Sequence, residues 1–226
     1  MADPRLAEFR TEIDRLKAEL LVLHAELPAN ELVTWTAGNI SGRVAGTDLL
    51  VIKASGARYH SLTTEHMVVT DLDARLIEGD FKPSSDTAAH AYVYQHMPEV
   101  MGVVHTHSTF ATAWAARREP IPCVLTMMAD EFGGDIPVGP FALIGDDSIG
   151  RGIVETLRGS RSRAVLMANH GPFTIGSSPL DAVKAAVMLE EVARTVHTAR
   201  LLGEPPRIDQ ADIDRLHDRY QNVYGQ

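Results

Sequence analysis

Short apolar runs alternate with longer segments of helical periodicity along this chain, and this alternation is what most constrains its fold. Five runs have the length and the β-branched content of strands. They cover residues 49–52, 67–70, 100–104, 123–126 and 164–167. Because strands and helices do not follow a strict repeat, we expect an α/β layered domain with a mixed, largely antiparallel central sheet flanked by helices.

The helical segments begin with a clear start signal. Asp3 can cap a helix that has Pro4 at its first position, and apolar residues then recur at helical spacing as far as Pro28. Further helices are predicted over residues 85–97, 109–118, 179–202 and 209–220. At 226 residues the chain can bury one large core, so we expect a single domain over residues 1–226.

Composition excludes two classes of partner. The formal net charge of −9 argues against a nucleic-acid surface, which needs a cationic face. No apolar run approaches the roughly 20 residues that cross a bilayer, so no membrane partner is expected. The polar start of the chain lacks a secretion signal, and the one cysteine, Cys123, fits a reducing compartment. We therefore expect a cytoplasmic protein, with Cys123 in a buried strand.

Three histidines have the pattern of a metal site. His105 and His107 stand two residues apart at the end of a predicted strand, so both side chains point to one face. His170 ends another apolar strand and precedes a predicted Gly-Pro turn. Zinc takes imidazole nitrogens, and catalytic sites commonly use three protein ligands. The pair alone is equally compatible with two unrelated surface histidines, and His170 is the proposed third ligand.

The other histidines do not share such a spacing. His90 follows Asp86 by one helical turn, but a partly buried helix histidine is as good an interpretation, and we do not assign it as a ligand. Solvated or capping roles are expected for His24, His60, His66, His96 and His197.

Three segments rich in glycine and serine are typical of anion-binding loops. They are the segment from Thr36 to Gly42, the segment Lys53-Ala54-Ser55-Gly56, and Pro83-Ser84-Ser85-Asp86 at a predicted helix start. Backbone N–H groups in such loops, with the helix dipole, favour a bound anion. Each segment alone is better explained by ordinary turns and a helix cap, but their occurrence together with the histidines favours one phosphate site.

Taken in order, these motifs resemble the class II aldolase and adducin-head family. The resemblance rests on Gly38-Asn39-Ile40-Ser41, Lys53-Ala54-Ser55-Gly56, Pro83-Ser84-Ser85-Asp86, His105-Thr106-His107-Ser108 and Asn169-His170-Gly171. It spans almost the whole chain and implies a mixed α/β sheet with flanking helices. It also implies a homotetramer with active sites between subunits.

Within the family, Ala129-Asp130 and the terminal Tyr224-Gly225-Gln226 are most similar to the L-ribulose-5-phosphate 4-epimerases. Two positions depart from them: Met128 stands where they carry histidine, and Ala37 where they carry tryptophan. The resemblance implies one Zn²⁺ per subunit and a small phosphorylated sugar as substrate. A sugar-phosphate aldolase, a dehydratase and a non-catalytic adducin-like interaction module remain as alternatives.

The resemblance also implies a role for each matching residue. Asp130 and Tyr224 would be the acid/base pair, with Tyr224 supplied by a neighbouring subunit. The implied metal ligands are Asp86, His105, His107 and His170. The implied substrate and phosphate ligands are Asn39, Lys53, Ser55, Gly56, Ser84 and Ser85.

Overall fold

An eight-stranded sheet forms the centre of the computed structural model, which describes residues 3–223. The strands are β1 (Asn39–Arg43), β2 (Leu49–Lys53), β3 (Met67–Asp71), β4 (Leu76–Glu78), β5 (Gly102–His105), β6 (Val138–Gly139), β7 (Ala164–Met167) and β8 (Gly171–Gly176). Their order is β4-β3-β2-β1-β5-β8-β7-β6. Every neighbouring pair is antiparallel except β6 with β7, which is parallel. The predicted mixed, largely antiparallel sheet is therefore confirmed.

Eight α-helices accompany the sheet in the described residues. They are α1 (Pro4–Glu8), α2 (Arg10–Ala29), α3 (Thr87–His96), α4 (Thr109–Arg117), α5 (Thr126–Phe132), α6 (Ser148–Leu157), α7 (Pro179–Leu202) and α8 (Gln210–Asn222). Asp3 caps α1 through a bond from the Arg5 N–H. In residues 3–223, none of the helices combines the length and the apolar character needed to span a membrane.

The helices lie on both faces of the sheet because side chains alternate along each strand. In β7, Ala164 and Leu166 belong to the apolar cluster beneath α4, α5 and α7. The intervening Val165 and Met167 belong to the cluster beneath α3 and α6. The α2 helix covers β1 to β3 in a third cluster. This layering leaves the strand ends, and the loops that follow them, free to form a site.

The structure corrects three sequence-based element assignments. Residues 123–126 do not form a strand: Cys123 is buried, but its N–H bonds the Asp135 carboxylate and α5 begins at Thr126. A short apolar run does not by itself distinguish a strand from other buried segments. The first helix is broken at Phe9 into α1 and α2. The predicted turn after His170 is instead the start of β8, where Pro172 pairs with Leu166.

β1 lies in the middle of the sheet although its sequence has the composition of a loop. Its Asn39 and Ser41 side chains are buried and hydrogen-bonded, and Ser41 Oγ lies 2.7 Å from both His90 Nδ1 and Tyr94 Oη. Asn39 pairs in register with His105 of the neighbouring β5. The segment that begins at Thr36 is thus half loop and half strand. Its pairing with β5 places Asn39 beside His105, one of the proposed metal ligands.

Candidate metal and anion site

The imidazoles of His105, His107 and His170 converge at one point. One ring nitrogen from each lies within 4.8 Å of the others. The Nε2 atoms of His105 and His107 are 2.9 Å apart, and the rings of His107 and His170 have centroids 5.4 Å apart. β5 delivers His105 and the residues just beyond it deliver His107, while the turn between β7 and β8 supplies His170.

Backbone and ring contacts set the orientation of His105. Its Nδ1–H donates to the carbonyl oxygen of Pro172 at 3.0 Å, which leaves the Nε2 lone pair facing His107. The ring also stacks on Phe173 with a centroid separation of 4.1 Å. Gly38 makes room for this arrangement, since a Cβ there would lie 2.9 Å from the His105 carbonyl oxygen and its φ of +80° suits glycine.

All three imidazoles are neutral near neutral pH. Burial lowers the pKa of His105 to about 3, and burial likewise lowers the pKa of His107 and of His170. Neutral imidazole is the form that donates a lone pair to a metal. Two zinc ligands at about 2.0 to 2.1 Å in a tetrahedral arrangement would have nitrogens roughly 3.3 Å apart. The separations found here are compatible with that geometry after small side-chain movements, so the donor set fits a zinc-like ion.

Asp86 lies beside this triad as the N-cap residue of α3. The carboxylate is buried, and its Oδ2 accepts a 2.7 Å bond from the Asn39 side-chain amide. Burial disfavours its charged form, but the neighbouring imidazoles of His105 and His90, together with the Asn39 bond, keep the pKa of Asp86 below its ordinary value. An ionised carboxylate therefore lines the same pocket as the three imidazoles, although it lies outside the group whose donor atoms are all within 4.8 Å of one another.

A pocket of about 280 Å³ opens above the triad. Its lining brings together Asp86, the three histidines and every proposed phosphate ligand: Asn39, Lys53, Ser55, Gly56, Ser84 and Ser85. The Ser84 hydroxyl accepts a bond from the Asn39 amide at 3.0 Å and one from the Asp86 N–H at 3.3 Å. Three serines and one lysine thus line a common space, and hydroxyls and an amine are groups that bind a phosphate. The N–H groups of Ser55 and Ser84 already donate to the carbonyl oxygens of Lys82 and Lys53.

Lys53 is the cation of this pocket, and it is almost fully buried at 2% exposure. Its Nζ donates to the carbonyl oxygens of Thr36 and Ala54, both at 3.3 Å. Burial lowers the pKa of Lys53 to about 8, and the charge of Asp86 offsets only part of that effect. The amine therefore stays mostly charged at pH 7 and is available to an incoming anion.

Asp130, one of the two proposed acid/base residues, lies elsewhere. Asp130 is on α5, and the residues that line the pocket do not include it. Its backbone oxygen lies 3.1 Å from Nδ1 of His217, and its carboxylate is 3.6 Å from the guanidinium of Arg219. Both of those residues are on α8, which leads towards the end of the chain. Tyr224 lies outside the described residues.

Two residues near the pocket were missed or misjudged from the sequence. His24 is fully buried and is not solvated: its ring bonds the Leu20 carbonyl at 2.7 Å and accepts the Ile40 N–H at 3.1 Å. It therefore anchors β1 next to Asn39, a role that no spacing in the sequence signals. Ile144, an exposed residue from the loop before α6, also lines the pocket and carries no motif.

Known proteins are similar to this chain over nearly its whole length. The chain is 38% identical to L-ribulose-5-phosphate 4-epimerase UlaF of Salmonella paratyphi B, over 94% of this chain and 96% of that protein. Among solved structures, an L-fuculose 1-phosphate aldolase superposes with a TM-score of 0.86 at 28% identity, covering 92% of this chain and 96% of the other. YgbL of Klebsiella pneumoniae, described as an aldolase/epimerase/decarboxylase, gives a TM-score of 0.80 at 30% identity over 91% and 99%.

The match to a family model is equally extensive. Residues 18–197, which include the three histidines and the whole pocket lining, match the model described as the class II aldolase and adducin N-terminal domain. All eight strands of the sheet, the histidine triad and the residues that line the pocket lie within that matched range. On these grounds the chain belongs to the class II aldolase and adducin N-terminal domain family.

Proposed function

We propose that this protein is a zinc-dependent L-ribulose-5-phosphate 4-epimerase. The observation that carries the proposal is the pocket itself, in which three neutral imidazoles face a buried lysine and a set of hydroxyls. Such a pocket can hold a divalent ion at one end and a phosphate at the other. The 38% identity to a relative named as this epimerase supports the choice of substrate.

The metal would be held by His105, His107 and His170, with the Asp86 carboxylate as an additional ligand. Three imidazoles and a carboxylate form a donor set that suits zinc. A bound Zn²⁺ supplies Lewis-acid charge that stabilises the developing negative charge on the ketose oxygens. Because the imidazoles are neutral in the free protein, no proton has to leave them before an ion binds.

The phosphate of the substrate would lie against Lys53, Ser55, Gly56, Ser84 and Ser85. Lysine would act there as a point charge, and the serine hydroxyls would donate hydrogen bonds. The amide of Asn39, which already bonds Asp86 and Ser84, would fix the sugar between the two ends of the pocket. Holding both ends of a small sugar positions its C3–C4 bond between them.

The reaction would proceed by retro-aldol cleavage and re-addition. A base takes the proton of the 4-hydroxyl, the C4 oxygen becomes an aldehyde, and the electron pair of the C3–C4 bond passes into an enediolate. The glycolaldehyde phosphate remains anchored by its phosphate and rotates about the bond that joins its aldehyde to the rest of the molecule. The enediolate carbon then adds to the opposite face, and an acid returns a proton to the C4 oxygen, so that C4 is inverted.

Inversion needs proton transfer on both faces of the aldehyde, and we assign this to Asp130 and Tyr224. Since Asp130 does not line the pocket of its own chain, the assignment requires that a neighbouring subunit complete the site. We therefore propose a homotetramer in which the α5–α8 region of one copy meets the pocket of the next. We also propose that residues 1–226 act as one domain in the cytoplasm, in keeping with the single buried thiol of Cys123.

A class II sugar-phosphate aldolase of the L-fuculose phosphate type is the second candidate. The TM-score of 0.86 to an L-fuculose 1-phosphate aldolase favours it. It would use the same pocket and the same bond cleavage but release the aldehyde. A non-catalytic interaction module of the adducin type is less consistent with three converging imidazoles.

Zinc content together with product analysis separates these functions. The metal-loaded protein is incubated with L-ribulose 5-phosphate, and with deoxyhexulose 1-phosphates in parallel, and both the C4 epimer and the free aldehyde are quantified. Net epimer formation supports the epimerase. Aldehyde release without epimer formation would transfer the assignment to the aldolase, and a purified protein that neither binds zinc nor turns over any of these sugars would contradict both.

A further inference from the structure

The turn that carries His170 has an unusual backbone. Asn169 has a φ of +57°, in the left-handed region that residues with side chains adopt only at a cost, although asparagine tolerates it better than most. His170 leaves the turn directly after this residue. The direction in which the His170 ring enters the pocket is therefore set by a strained residue.

That turn is bonded to the end of α4. The Asn169 N–H donates to the carbonyl oxygen of Ala115 at 3.0 Å, and its side-chain amide lies 3.5 Å from the Ala116 carbonyl. Both carbonyls belong to the last turn of α4, and the Ala115 carbonyl oxygen also accepts the Arg118 N–H at 3.1 Å. The same helix begins just after His107, so α4 connects the two histidines.

A second residue with a left-handed backbone, at the end of α4, bonds the Asn169 side chain. Arg118, the C-cap of α4, has a φ of +56°, and its Nε–H donates to the side-chain oxygen of Asn169 at 2.6 Å. Two residues with side chains, both in the left-handed region, are thus bonded to each other next to a proposed metal ligand. Glycine would occupy either position without strain.

The orientation of the His170 ring depends on this turn, because no hydrogen bond in the described residues fixes the ring as one does for His105. Among residues 3–223, neither ring nitrogen of His170 has a hydrogen-bond partner, although both atoms are buried. His105, by contrast, is fixed by its bond to the Pro172 carbonyl. The His170 ring packs against the neighbouring rings of His105, His107 and Phe173.

We propose that Asn169 and Arg118 are positioning residues that aim His170 at the metal, and that their left-handed backbones serve metal affinity instead of stability. The inference rests on the proposed metal site. Groups that orient a metal ligand typically contribute 10- to 100-fold to affinity. Because both side chains are exposed, we expect about 10-fold, at the lower end of that range.

The test uses Arg118→Gly and Asn169→Gly, which remove the side-chain bonds and also relieve the left-handed strain. Zinc dissociation constants are measured by competition with a chromophoric chelator, and melting temperatures are measured on metal-free protein. We expect each variant to bind zinc about 10-fold more weakly, while the metal-free protein melts at the same temperature as wild type or higher. A purely structural role predicts a lower melting temperature instead.

Ala74→Gly is the matched control. Ala74 has a φ of +62° in the turn between β3 and β4, and it does not line the pocket, so glycine relieves strain there without touching the metal site. It should leave zinc affinity unchanged. Zinc affinity within twofold of wild type in both test variants would overturn the inference, and so would a loss of affinity that accompanies a lower melting temperature in both. A wild-type protein without zinc affinity would refute the metal site and the inference together.

Discussion

Replacing Lys53 by methionine is expected to stabilise the metal-free fold while it weakens phosphate binding. The amine is 2% exposed, and burial lowers the pKa of Lys53 from its ordinary 10.5 to about 8. Each unit of pKa corresponds to about 1.4 kcal/mol, so at pH 7 the buried charge costs the fold about 3 kcal/mol. Methionine fills a similar volume without a charge.

Two bonds are lost in the exchange. Lys53 donates to the carbonyl oxygens of Thr36 and Ala54, and each bond contributes about 0.5 to 1 kcal/mol net. The expected gain for Lys53→Met is therefore about 1 to 2 kcal/mol in the free energy of unfolding at pH 7. A buried cation that destabilises the fold by this amount is explained by its use in binding an anion.

The pH dependence gives the sharper test. Since the folded pKa lies below the unfolded one, the unfolded chain binds more protons between pH 8 and 10.5, and wild-type stability rises through that window. The cost of the buried charge is complete below pH 8 and vanishes above 10.5. The advantage of Lys53→Met should accordingly be largest at pH 7 and close to zero or reversed at pH 10.

Urea unfolding of chelator-treated protein at pH 7 and pH 10 measures this difference. Lys82→Met, which alters an exposed lysine, is the control and should show no pH-dependent difference from wild type. If Lys53→Met is less stable than wild type at pH 7, or if its advantage is the same at both pH values, the reasoning is refuted. The affinity for inorganic phosphate, measured on the same proteins, should fall only for Lys53→Met.

Three further predictions concern the metal, the acid/base residue and the packing. His107→Ala or His170→Ala should remove most bound zinc while circular dichroism remains native, and full occupancy in both would exclude them as ligands. Asp130→Asn should keep its zinc but lower the rate of C4 epimerisation by roughly 10² to 10⁴, with some aldehyde release persisting; an unchanged rate would remove its assigned role. Gly102→Ala should destabilise the fold by about 1 to 3 kcal/mol, because its Cβ would lie 2.5 Å from the Pro179 backbone. A variant with the melting temperature of wild type would contradict that packing.

Much of the sheet and most helices could be predicted because their apolar residues follow a regular period. The α7 helix was predicted with its observed bounds, since its apolar stripe, its N-terminal proline and its C-terminal glycine agree. β1 could not be predicted, because only Ile40 is a large apolar residue in it. Its burial depends on partners far along the chain, such as His90 and Tyr94 for Ser41.

The candidate site, like the fold, was predictable in part from local sequence patterns and in part depends on residues far apart in the chain. The spacing of His105 and His107 indicates convergence by itself, but His170 joins them only because β8 pairs with β5, which the sequence does not specify. His24 was misjudged because both of its ring partners are backbone groups, and a backbone group leaves no motif. Asp130 lies apart from the pocket, a placement that spacing along one chain does not reveal.

The most direct test of the proposed function is the fate of C4 in L-ribulose 5-phosphate. Zinc-loaded wild-type protein is incubated with this sugar, and the amounts of D-xylulose 5-phosphate and free glycolaldehyde phosphate are followed over time, with and without a chelator. The proposal predicts that D-xylulose 5-phosphate accumulates to equilibrium, that little aldehyde escapes, and that the chelator abolishes the reaction. Accumulation of the aldehyde without the epimer, or epimerisation that persists in fully metal-free protein, would contradict it.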